Sequence, residues 1–131
     1  MQTLHKRLQK GEYVLHYQLT RLGDDYSLVV GGGEEHVGSI VLALPRPSLA
    51  DPARASTTLS VLNVTGHKDD GVAMPLAEAL CLISGRPAVV VAGIHFDNLP
   101  VAGLKTILSL NEEACRQLPH WVEELAGADS K

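Results

Sequence analysis

Aromatic residues are scarce in this chain, with one Trp, three Tyr and one Phe among 131 residues. A ligand site walled by stacked rings is thereby excluded, and a flat ligand has to pack on backbone and aliphatic groups. Cysteine is scarcer, Cys81 and Cys115 alone, both in helical-looking stretches and without CxxC spacing. Neither a zinc ribbon nor a thioredoxin-type redox site is indicated; the two read as buried or half-buried thiols of a reducing cytoplasm. Positive charge is in deficit, eleven Lys and Arg against fifteen Asp and Glu. That balance lacks the field selected by nucleic acid or an anionic membrane, so neither is expected as a partner. No apolar run approaches the ~20 residues of a membrane helix. The first ten residues lack an apolar signal segment, which points to a cytoplasmic protein. What remains is ordinary globular composition, 45% hydrophobic and 20% charged, sufficient for one domain over residues 1–131.

Over residues 12–21, Tyr13, Leu15, Tyr17 and Leu19 alternate with His16, Gln18 and Thr20. This is the period of a strand with one face on a core. Turn chemistry at 22–25 and a second strand at 26–30 make a hairpin. Residues 37–44 read as a third strand with Ile40, Leu42 and Leu44 on one face. The stretch 45–55 carries Pro45, Pro47 and Pro52, each lacking a backbone donor, and so predicts a long, stiffened, functional loop, neither helix nor interior strand. Residues 56–64 form a fourth strand, with Ser56, Thr58, Ser60, Leu62 and Val64 opposite Thr57, Leu59 and Val61.

Asp69 or Asp70 is placed to cap a helix whose stripe is Val72, Leu76, Ala79, Leu80 and Ile83, with Gly85 as its stop. The unbroken Val89-Val90-Val91 in 88–94 predicts a strand buried on both faces. Pro100 suits the first position of a second helix with Leu104, Ile107 and Leu108 on its stripe. Residues 112–125 continue or restart it around Pro119, and 126–131 read as a tail. Strands first and helices late predict an α+β fold: a mostly antiparallel sheet of about five strands with two or three helices on one face.

Polar chemistry is concentrated where strands end. Gly31-Gly32-Gly33 precedes His36, Gly66 precedes His67 and Lys68, and Gly93 precedes His95. Glycines there allow backbone amides to approach a ligand closely. No Gly-Lys-Ser/Thr follows, so this is not a P-loop, and the dinucleotide glycine pattern is absent. His36, His67 and His95 could be drawn as a metal site, although they share no local ligand spacing and Lys68 opposes a cation. For an anion such as phosphate the candidate donors are Arg46, Arg54, Lys68 and the hydroxyls of Ser56, Thr57 and Thr58, beside the Pro47-Ser48 stretch. No nucleophile elbow or carboxylate dyad is evident.

Gly-Gly-Gly at 31–33, Pro-Arg-Pro-Ser-Leu-Ala-Asp-Pro at 45–52, Gly-His-Lys-Asp-Asp at 66–70 and Ala-Gly-Ile-His at 92–95 occur in this order. Together they resemble the prenylated-flavin chaperone family, the small D-subunits associated with gallate-type decarboxylases. The resemblance spans roughly residues 11–110. It implies a non-enzymatic protein that binds prenylated flavin mononucleotide, with unmodified FMN as a second candidate. Such a protein passes the cofactor to apo-decarboxylases of the UbiD type, and a flavin prenyltransferase is a further candidate partner. Carried onto this chain, the flavin phosphate falls to Arg46, Lys68 and the hydroxyl run. A chain of this length has little depth for such a ligand, which argues for a homodimer whose interface completes the pocket. Two other readings remain open: a small enzyme dependent on its histidines or a metal and acting on a phosphorylated or carboxylated substrate, and a structural accessory subunit of a decarboxylase.

Overall fold

Period-two alternation assembles one six-stranded sheet, and two helices cover one of its faces. The computed structural model describes residues 1–64 and 69–128; His67 and Lys68, both candidate ligand residues, lie outside the described residues. In chain order the elements are β1 (Gln2–Lys10), β2 (Tyr13–Leu22), β3 (Asp25–Gly33), β4 (Ser39–Pro47), β5 (Ala55–Asn63), α1 (Asp70–Ser84), β6 (Ala88–His95) and α2 (Val101–Ala128). The sheet order is β1-β2-β3-β6-β4-β5. Every neighbouring pair is antiparallel except β3 with β6. The α+β class with a mostly antiparallel sheet is as the sequence predicts; the strand count is one higher.

The additional strand is β1, which the polar N-terminal sequence does not announce. Leu4 and Leu8 are its only large apolar residues, and they pack at the margin of the core. The other differences also have physical causes. β3 runs through all three glycines, because each is paired in register with 93–95 of β6. The proline-rich stretch begins as strand: β4 extends to Pro47, and the loop is confined to residues 48–54. Register explains how. The amide of Ser48 donates to Arg54 O, so even-numbered residues of β4 make the bonds to β5. The nitrogens of Pro45 and Pro47 therefore point the other way, beyond the start of β6, whose pairing ends at Ala43↔Ala88. No ladder bond is lost there.

Helix α2 begins at Val101, one residue after Pro100, and passes Pro119 without a break. Pro119 lies on the solvent side, where the carbonyl it frees can meet water, while Leu118, Trp121 and Leu125 continue the buried stripe. Leu104 and Leu108, expected on that stripe, are instead 48% and 39% exposed. In α1, Leu76, Ala77 and Leu80 are buried whereas Ile83 is exposed, and Gly85 closes the helix at φ 67°. Cys81 is buried and Cys115 half-buried.

The core lies between the helices and the inward side of the strands: Leu15, Tyr17 and Leu19 of β2, Leu28 and Val30 of β3, Val41 of β4, Val90 of β6. A polar chain crosses it. Tyr17 Oη donates to Asn111 Oδ1 (3.0 Å), and Asn111 Nδ2 donates to Val72 O (3.2 Å), joining β2, α2 and α1. Among the described residues no helix lies against the opposite face of the sheet. Its central row runs Leu62–Ile40–Val91–Val29 across β5, β4, β6 and β3. Val89 and Val91 are thus only half-buried, and the expectation of a strand covered on both faces is met on one.

Candidate functional site

The cleft at the carboxyl ends of β3 and β6 is built around two parallel strands that stop together, Gly33 paired with His95. Gly33 has φ 63°, a left-handed conformation that glycine adopts without strain, and it turns the chain so that the Glu34 amide donates to His95 O (2.9 Å). Residues 34–38 then fold back onto the strand ends. A Cβ on Gly93 would meet the backbone of His36, and one on Gly31 would meet the Glu35 carboxylate. Absent side chains at Gly31 and Gly93 make the floor that holds this loop. Glu34, Glu35, His36, Val37 and His95 line a cavity of about 420 Å³ open to solvent, within the range of small-molecule sites.

Two histidine–carboxylate pairs flank the cavity. Asp69 Oδ2 accepts from His36 Nε2 (3.1 Å), and Asp69 Oδ1 accepts the Ile94 amide (3.1 Å). His36 Nδ1 lies 3.1 Å from Glu34 O. Carboxylate and carbonyl are both acceptors, so each ring nitrogen of His36 faces an acceptor. Asp69 is 7% exposed. It occupies the N-cap position of α1, but its side chain makes no capping bond; the capping expected from the sequence is replaced by this bridge to β6 and the 34–38 loop. His95 Nε2 pairs with Asp97 Oδ1 at 3.0 Å, both more exposed. Among the described residues no three His, Cys, Asp or Glu side chains are grouped to hold a metal.

The structure brings Gly31, Gly33, His36 and His95 together. Gly32 faces inward against Leu15. Arg46, Pro47, Ser48, Arg54, Ser56, Thr57 and Thr58 lie at the other end of the sheet, around the β4–β5 turn. There Arg46 Nε donates to Thr58 Oγ1 (2.9 Å) and Nη1 to Pro47 O (3.0 Å). Ser48 Oγ accepts the amides of Ala50 and Asp51, which makes it a turn residue. Thr57 points to the helix side, opposite Ser56 and Thr58. Val41 pairs with Val90; Arg46 is five residues beyond Val41 in one direction and His95 five beyond Val90 in the other. The separation along the sheet is about 33 Å, so the expected cradle is divided between two ends of one chain.

Several residues near the cavity escaped the sequence reading, Glu34 and Val37 of its lining among them. Glu35 and Asp69 did so because a turn acid and a helix cap are commonplace. His16 and Arg7 share a row with Gly31 and Gly93 through the pairs Arg7↔His16, His16↔Gly31 and Gly31↔Gly93. The alternation around Leu15 does place His16 on the polar face, but only the β1 pairing sets Arg7 beside it.

No curated protein matches the chain. Among solved structures it is similar to one described as a novel chaperone complex for yeast 20S proteasome assembly, at 16% identity and TM-score 0.53, covering 90% of this chain and 97% of that chain. At that identity the likeness is one of fold. Residues 9–123 match the family described as the prenylated flavin chaperone LpdD-like domain, and the chain belongs to that family.

Proposed function

We propose that this protein binds prenylated FMN at the cleft between His36 and His95 and delivers it to apo-decarboxylases of the UbiD type, as a cytoplasmic homodimer that performs no chemistry on its cargo. The observation that carries this reading is the family match over residues 9–123.

The cleft suits the ring system of a flavin in part. The cavity has room for a flat ring, His95 offers it a ring nitrogen, and Glu34 and Glu35 are acceptors for a ring N–H. It does not suit the phosphate. The described residues lining it include two carboxylates and no Lys or Arg, so they provide no charge-assisted donor of the kind that a phosphate selects. Neither cysteine is suited to covalent attachment, since burial raises both thiols above their usual range, Cys115 with a further push from Glu112.

The test is a titration of purified protein with prenylated FMN followed by absorbance, then transfer to an apo-decarboxylase followed by gain of decarboxylation. Micromolar retention, about 8 kcal/mol of binding, and faster activation of the client are expected. A free-ligand spectrum left unchanged would remove the proposal and favour a purely structural subunit.

A further inference from the structure

We propose that two copies of the chain pack through their uncovered sheet faces with strands antiparallel, so that Arg46 of each copy completes the His36/His95 cleft of the other. The role given to Arg46 rests on the flavin reading above; the packing does not.

The uncovered face is apolar at its centre. Val29, Leu42, Leu44 and Leu62 are 45%, 40%, 43% and 69% exposed, and Ile40 and Val91 bridge them through the strand register. A contiguous patch of this kind marks an interaction surface. The Val89-Val90-Val91 run has the composition of a strand covered on both sides, and the chain itself covers only one. A second sheet laid on the face would supply the missing layer in the manner of an aligned β-sandwich.

The position of the patch selects the partner and its direction. Arg46 and His95 are equidistant from the Val41↔Val90 pair, and that row runs through the apolar patch. A two-fold axis lying between the faces, perpendicular to the strands and above this row, carries Arg46 of one copy onto the cleft end of the other. Arg46 belongs to the same face as Leu42 and Leu44, and its Nη2 makes no hydrogen bond to any described residue.

Charge decides between the two ways of stacking identical sheets. With the axis along the strands, Glu34 and Glu35 would face their own copies, as would Arg46 and Arg54. With the axis across the strands, Arg46 and Arg54, accompanied by Asp51, face Glu34 and Glu35. Like-charge juxtaposition is costly in an interface, and the second arrangement also brings a cation to a cleft that has none among its described lining residues.

The packing is tested without flavin. Sedimentation of the native chain is expected to give a dimer and Leu42→Glu a monomer with native circular dichroism; a monomeric native chain overturns the proposal. For orientation, Arg46→Cys and His95→Cys proteins are prepared in a Cys115→Ser background and treated with a short bismaleimide. A covalent dimer is expected only when the two proteins are mixed. Crosslinking of each variant to itself, with none in the mixture, overturns the antiparallel arrangement. A flavin titration then tests completion of the site: the monomeric Leu42→Glu protein should bind at least about tenfold more weakly than the native dimer, and equal affinity overturns the role of Arg46. Failure of the native dimer to bind flavin at all would fall on the functional reading, while the crosslinks still decide the packing.

Discussion

Asp69 holds His36 and the Ile94 amide at once, one carboxylate oxygen for each, both at 3.1 Å. A single buried side chain thus ties the start of α1 to the end of β6 and to the loop that walls the cleft. The residue has the look of a helix cap in the sequence, yet its carboxylate serves the site.

Replacing Asp69 by Asn keeps one acceptor for the Ile94 amide and loses the carboxylate partner of His36. Flavin affinity should fall by about tenfold, with a stability loss of about 1 kcal/mol. Asp69→Ala leaves the half-buried Ile94 amide without its acceptor and should cost about 1–3 kcal/mol. Urea denaturation beside flavin titration separates the two effects; equal stability in both variants would show that the Ile94 bond contributes nothing.

The two floor glycines should respond differently to the same added methyl. Gly93→Ala drives its Cβ into the His36 backbone, so the 34–38 loop must lift, whereas Gly31→Ala meets only the flexible end of Glu35. The Gly93 variant is expected to lose flavin binding while the Gly31 variant retains most of it. Limited proteolysis of the loop provides an independent reading, and matching behaviour of the two variants would contradict the folded-back loop.

Burial, and secondarily the nearby Cys115, hold the Tyr17 hydroxyl protonated far above its usual range. In the unfolded chain it ionises near pH 10, so above that pH the unfolded state binds fewer protons than the native state. Stability contributed by this group is therefore complete at neutral pH and falls as pH rises past about 10. Melting temperatures between pH 8 and pH 11 should drop more steeply for the native protein than for Tyr17→Phe. At neutral pH that variant should be less stable by about 1–3 kcal/mol, because Asn111 Oδ1 loses its donor. Parallel pH profiles would show that Tyr17 does not report the linkage.

Arg46→Ala should weaken flavin binding by about tenfold with little change in melting temperature, since among the described residues Arg46 bonds to Thr58 and Pro47 at the turn. The salt dependence of binding should weaken with it. A variant with unchanged affinity would put the phosphate elsewhere, with Arg7 and His16 the next donors on that face.

Much of the architecture was legible in the sequence, and what was not has specific causes. Period-two alternation located β2 with its faces, and Gly85 marked the end of α1. The hairpin of β2 with β3 was legible from its turn. β1 was obscured because an edge strand with one face outward and only two leucines inward carries little pattern. The proline stretch misled because the nitrogens of Pro45 and Pro47 face the β6 side of β4 beyond the point where β6 begins, a matter of register that local composition does not encode. The site was legible as residue types at strand ends. Which end each belonged to depended on strand order, and the β6 insertion between β3 and β4 sent Arg46 and His95 in opposite directions.

The pairing of β3 with β6 joins segments separated by β4, β5 and α1, a long-range contact that is slow to form. Until it forms, residues 34–38 have nothing beneath them. The cleft is thus the last part of the sheet to take shape, and on the proposed reading only a fully assembled chain can hold the flavin.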